Sequence, residues 1–103
     1  MTQGLFEDQQ KIDAPTMDMH RALTLLAAEI TSIDSHNQHY DACTDPELRL
    51  VIAHHRERKK ALVAMLLEWV RRRDVRFDKE MKHALFKAGP ITAPYQIPEE
   101  ENG

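Results

Sequence analysis

Two stretches of helical hydrophobic period lie either side of a proline-marked break, and that pattern leaves few folds open. Met19, Ala22, Leu23, Leu26, Ala27, Ile30 and Ile33 recur at three- and four-residue steps, which is one apolar stripe of an α-helix. Leu48, Ile52, His55, Lys59, Leu62, Leu66 and Trp69 follow the same alternation, as in a coiled-coil-like inward seam. Two members of that seam, His55 and Lys59, are polar. His39-Tyr40-Asp41-Ala42-Cys43 is a short connector, and short connectors make consecutive helices antiparallel neighbours.

Local signals mark the ends. Asp13 caps the first helix with Pro15 in its first turn, and the helix is expected from about Pro15 to Gln38, weakened near its end by Ser32, Asp34, Ser35 and Asn37. The second helix opens on Thr44-Asp45-Pro46-Glu47. Thr44 is expected to cap the Glu47 N–H while the Glu47 side chain reaches back, a capping box with proline where a missing N–H costs nothing. This helix is expected to reach Arg73. Asp74 caps a third, to about Ala88, with Phe77, Met81, Leu85 and Ala88 on one side, and Gly89-Pro90 stops it. No strand-like alternation or internal repeat is present. The expected organisation is a flexible N-terminal arm or short docking segment (1–13), a helical domain (14–89) and an extended acidic tail (90–103).

A 103-residue chain buries a modest core, and a hairpin buries less than a compact bundle, so oligomerisation is expected. A net charge of −3 provides no global field for nucleic acid. Arg71 to Arg73 read as cations at the negative end of a helix dipole. No apolar run approaches the ~20 residues that cross a bilayer. The N-terminus shows no signal-peptide pattern. The single cysteine, Cys43, cannot form an intrachain disulfide, which agrees with a cytoplasmic location. Asp41 and Asp45 beside it oppose a reactive thiolate. There is no phosphate loop, nucleophile elbow or Cys-rich metal framework.

The histidines are the remaining candidates for chemistry. His36 and His39 are three apart and can share a helical face and a transition metal. Without a third ligand such a site is weak, and the simpler reading is a polar helix end beside the dipole. His54 and His55 are adjacent and point about 100° apart, so they cannot chelate one ion from a regular helix. His55, in the seam, reads as a hydrogen-bonded interface histidine.

The stretch from Met19 to Thr92 resembles the encapsulated ferritins. The matching pieces are His20-Arg21-Ala22, Asp41 to Leu48, Ala53-His54, Leu67-Glu68-Trp69-Val70-Arg71-Arg72, Leu85-Phe86 and Gly89-Pro90-Ile91-Thr92. They run in one colinear order over about three-quarters of the chain. The resemblance implies an all-α fold: an antiparallel two-helix hairpin plus a short C-terminal helix, pairing between subunits into a ferritin-like four-helix bundle. It further implies a homo-oligomer (a dimer or a ring of dimers), iron storage or handling, and an encapsulin shell as partner and compartment. The tail, Tyr95-Gln96-Ile97-Pro98 followed by Glu99 to Gly103, does not match the family's glycine- and leucine-containing docking peptide.

In the family, a glutamate from the first helix and a Glu-x-x-His pair from the second bind two irons between paired subunits. The resemblance places the first glutamate on Glu29, the second on Lys59 and the histidine on Leu62. Lysine's ammonium has no lone pair, and leucine has no donor atom. Family carboxylates that lead iron inward fall on Ala28 and Thr31. His54 matches a histidine near the metal path, but its carboxylate partners fall on Arg58 and Ala61. The metal candidates are therefore Glu29 and His54, with iron as the metal if one binds at all. The expected outcome is an ion pair, Glu29 with Lys59 within or across subunits, in place of a metal bridge, and a ferritin-like protein without ferroxidase activity. Two other readings stand beside it. One is an active ferroxidase with a rearranged site of Glu29 and histidines. The other is a helical oligomeric adaptor unrelated to iron, since fold does not fix function.

Overall fold

The computed structural model describes residues 4–93. Among them the elements are helical: a 3-10 turn Gln9–Lys11, then α1 (Ala14–Ala42), α2 (Pro46–Arg73) and α3 (Val75–Ala84). No described helix is long and apolar enough to cross a membrane. The chain divides into two compact units, Met1–Val70 and Arg71–Gly103.

The first unit is the hairpin. Asp13 caps α1 as expected, its Oδ1 accepting the Thr16 N–H at 3.0 Å. Hydrogen bonds from Thr16, side chain first and then backbone, hold the Asp13 carboxyl below its ordinary range. The helix runs on to Ala42, past the expected end at Gln38. Of the polar residues that weaken it, Asp34 and Ser35 bond on the helix itself and Asn37 is held by Arg56 of α2. Thr31 Oγ1 donates to the Ala27 carbonyl at 3.0 Å and Ser35 Oγ to the Ser32 carbonyl at 2.9 Å, a local bonding that competes with the helix only where no helix is otherwise favoured. The last turn is also gripped from α2. Arg49 Nε donates to the Tyr40 carbonyl at 3.1 Å, and the Arg49 and Arg56 guanidinium carbons lie 4.3 and 5.1 Å from the centre of the Tyr40 ring, a cation–π arrangement. The connector is thus only Cys43-Thr44-Asp45.

Asp45, not Thr44, starts α2: its Oδ2 accepts the Leu48 N–H at 2.8 Å and its carbonyl accepts from Arg49 N at 3.0 Å. The cap lies one residue later than expected because Pro46 is the first helical position, which makes its predecessor the cap. The third helical position is then Leu48, which has no acceptor to reach back, so the expected capping box does not form. Contacts between the helices run in opposite chain directions. Tyr40 meets Arg49, Asn37 meets Arg56, His36 meets His55 and Glu29 meets Lys59, so the two helices are antiparallel neighbours.

The second unit holds the last turn of α2 and α3. Asp74 caps α3 through a 2.8 Å bond from the Phe77 N–H. Asp78 pairs with Arg71 and, at 3.0 Å, with Lys82. Hydrogen bonds from Lys82 and then Arg71 hold its carboxyl below the usual range. α3 stops at Ala84, four residues short of the expected Ala88. Phe86 takes φ 58° and Gly89 φ 91°, so the chain turns away before the Gly-Pro pair is reached. Residues 90–93 form a turn, with the Ala93 N–H on the Pro90 carbonyl at 3.1 Å, where the extended tail was expected to begin. The tail from residue 94 lies outside the described residues, as do residues 1–3 of the arm.

Candidate functional site

The side of α1 turned towards α2 carries Leu26, Glu29, Ile33, His36 and Tyr40, all half-buried. The matching side of α2 carries Arg49, Arg56, Lys59, Val63, Leu66 and Val70. This is not the whole of the expected seam. Ile52, Lys59, Leu66 and Trp69 are half-buried as expected, but Leu48 is 51% and Leu62 43% exposed, and His55 is exposed. Two adjacent stripes on one helix, offset by a single residue, both have helical period. Periodicity alone cannot say which one faces the sister helix.

At the middle of the shared face, Lys59 Nζ donates to Glu29 Oε1 at 3.2 Å and stands 3.0 Å from Oε2. The two side chains are 23% and 16% exposed. Oε2 is fully buried and has no hydrogen bond of good geometry, so the ammonium serves it through charge rather than through a directed N–H. The pair forms within one subunit, one of the two arrangements expected from the sequence. It joins residues thirty apart in the chain across the helix–helix groove.

The donor set does not fit iron. One carboxylate is present, and a fixed cation already occupies ion-pair distance from both its oxygens. A divalent ion about 4 Å from an ammonium is repelled by roughly 8 kcal/mol at an effective dielectric of about 20. Leu62 offers no ligand atom. His54 is exposed on α2 and takes no part in the pair. Among the described residues no three His, Cys, Asp or Glu side chains form a group that could hold a metal ion.

A second polar cluster lies nearer the connector, and the sequence reading missed its form. The His36 and His55 rings stack with centroids 4.7 Å apart and planes 8° apart. His36 and His39 meet edge to face at 6.3 Å and 77°. His36 Nδ1 lies 2.6 Å from the Ser32 carbonyl, and Arg56 Nη1 donates to Asn37 Oδ1 at 3.2 Å. The signal that could have found the stack was the register itself. With Glu29 opposite Lys59 in an antiparallel pair, His36, two turns along α1, falls opposite Ile52, and the long side chains of His55 and Arg56, one turn nearer Lys59, come within its reach.

A long antiparallel hairpin with a carboxylate turned into the helix–helix groove matches the ferritin-like hairpin that the sequence resemblance implies. The EncFtn-like family model matches residues 4–88, and the chain belongs to the encapsulated ferritin-like family. It is 39% identical over 87 residues to the encapsulated ferritin-like protein of Rhodospirillum rubrum, covering 84% of this chain and 62% of that relative's length. It is 31% identical over 103 residues to a ferritin-like protein of Thermotoga maritima, covering all of this chain and 88% of the relative. Among solved structures it is similar to the crystal structure of protein ne0167 from Nitrosomonas europaea. The TM-score is 0.83 at 48% identity, over 85% of this chain and 97% of the other.

Proposed function

We propose that this chain is a self-associating ferritin-like subunit that takes part in iron handling but does not itself oxidise ferrous iron. The observation that carries the reading is the Lys59 ammonium, 3.0 and 3.2 Å from the two Glu29 oxygens. Charge balance explains the consequence. A pair of subunits would bring two carboxylates and two ammoniums to the site, which is neutral before any metal arrives. The family's glutamate and histidine at these positions would instead leave a net negative, lone-pair-rich site.

Self-association rests on the surface. In the single subunit Leu48, Val51, Leu62 and Met65 recur on one side of α2 and are exposed, as are Leu23 and Ile30 on one side of α1, and exposed apolar stripes of this kind mark an interaction site. Association with an encapsulin shell rests on family membership alone.

The test is oxidation of ferrous iron in air, followed by ferric absorbance. The parent chain is expected to add nothing to the rate of autoxidation, and a clear catalysed rate would overturn the reading. A Lys59→Glu, Leu62→His variant restores the donor types that the resemblance places there. It is expected to oxidise iron faster than its parent.

A further inference from the structure

We propose that His36 and His39 form a two-imidazole site for a divalent ion of the zinc type near the connector end of α1, separate from the Glu29–Lys59 pair. One hydrogen bond prepares the first ligand. A carbonyl oxygen can only accept, so the 2.6 Å contact between His36 Nδ1 and the Ser32 carbonyl puts the ring proton on Nδ1. In the neutral imidazole the lone pair is then on Nε2, on the side of the ring away from Ser32. Metal-ligating histidines show this same arrangement, the second nitrogen donating to a backbone carbonyl that fixes tautomer and ring orientation. Half of a ligand's preparation is therefore built into α1.

His39 supplies the second donor. It follows His36 by three residues, on the neighbouring turn of the same helix face. A ring bound through nitrogen at about 2.0 Å has its centroid roughly 3 Å from the ion, so two rings at a tetrahedral angle lie roughly 5 Å apart. The observed separation is 6.3 Å, edge to face. Closing the difference of about 1 Å takes a small rotation of the exposed His39 side chain, which is free to make it.

His55 is a brace and not a ligand. Its ring is within 8° of parallel to that of His36, and two stacked parallel rings cannot both aim a nitrogen at one ion. It holds the His36 ring from the α2 side. Arg49 and Arg56 are fixed cations that face this turn from α2: Arg49 donates to the Tyr40 carbonyl, and Arg56 is bonded to Asn37 and paired with Glu57 at 2.8 Å. Because no three His, Cys, Asp or Glu groups converge among the described residues, water fills the remaining coordination positions. A nitrogen-only donor pair favours zinc, copper or nickel over oxygen-seeking ions. Two protein ligands make the site a modest binder.

The test is a calorimetric titration of Zn²⁺ into the full, tag-free chain. One ion per chain is expected. His36→Ala and His39→Ala should each weaken binding at least tenfold, with helix content unchanged by circular dichroism. His55→Phe, which preserves the stack, and His83→Ala, on α3, should bind as the parent does. No binding heat at millimolar zinc would overturn the assignment. So would His36→Ala and His39→Ala chains that bind like the parent, or loss of binding in His55→Phe.

Discussion

Lys59 and Glu29 meet where neither is fully wet nor fully dry, and that decides how much their contact contributes. Exposed ion pairs contribute up to ~1 kcal/mol, and removing one partner of a fully buried pair costs ~3–5 kcal/mol. With about a fifth of each side chain exposed, Lys59→Met is expected to destabilise the protein by about 2 kcal/mol, because it strands a buried carboxylate oxygen. Adding Glu29→Leu should recover most of that loss, since a well-packed apolar pair replaces a buried ionic one at little cost. Urea unfolding of the two variants and the parent checks both. A Lys59→Met chain as stable as the parent would mean that the ammonium contributes nothing. At this scale the Glu29–Lys59 pair was legible through the family resemblance, which put a carboxylate and an ammonium at one site; Glu29 itself lies outside the apolar stripe read on the first helix. The His36–His55 stack was not legible, because it depends on a helix register that no single residue declares.

Each helix start has a side chain that can be held to account. Asp45 accepts the Leu48 N–H, so Asp45→Ala should lower stability by about 1 kcal/mol. Thr44→Ala should cost no more than a few tenths, roughly the scatter of surface changes. Denaturant midpoints for the two variants separate the cap that forms from the one that sequence spacing suggested. The starts of α1 and α3 were readable because Asp13 and Asp74 compete with no neighbour for the capping role. The ends were not. α1 outruns its poor helix formers because Arg49 and Arg56 hold its last turn from another element, and tertiary contacts override propensity. α3 falls short of Gly89 because Phe86 already takes a left-handed backbone.

At the scale of the whole molecule, only Met17, Ala22 and Val70 are buried among the described residues. Leu48→Glu with Leu62→Glu places two charges on the exposed stripe of α2 without touching the side that carries Lys59. On the proposed reading the parent sediments as an oligomer and this variant as a monomer; equal sedimentation coefficients would remove the stripe from any interface. The fold class was legible at this scale because two periodic runs and a short connector admit little else. Which stripe faced the sister helix and which faced outward was not, since both carry the same period. If copies of the chain cover the exposed stripe as proposed, a hairpin with so thin an interior draws much of its free energy of folding from that association, and the contribution varies with the logarithm of concentration. Dilution then acts on it as a denaturant does, and the number of copies a cell makes sets the fraction that is folded at all.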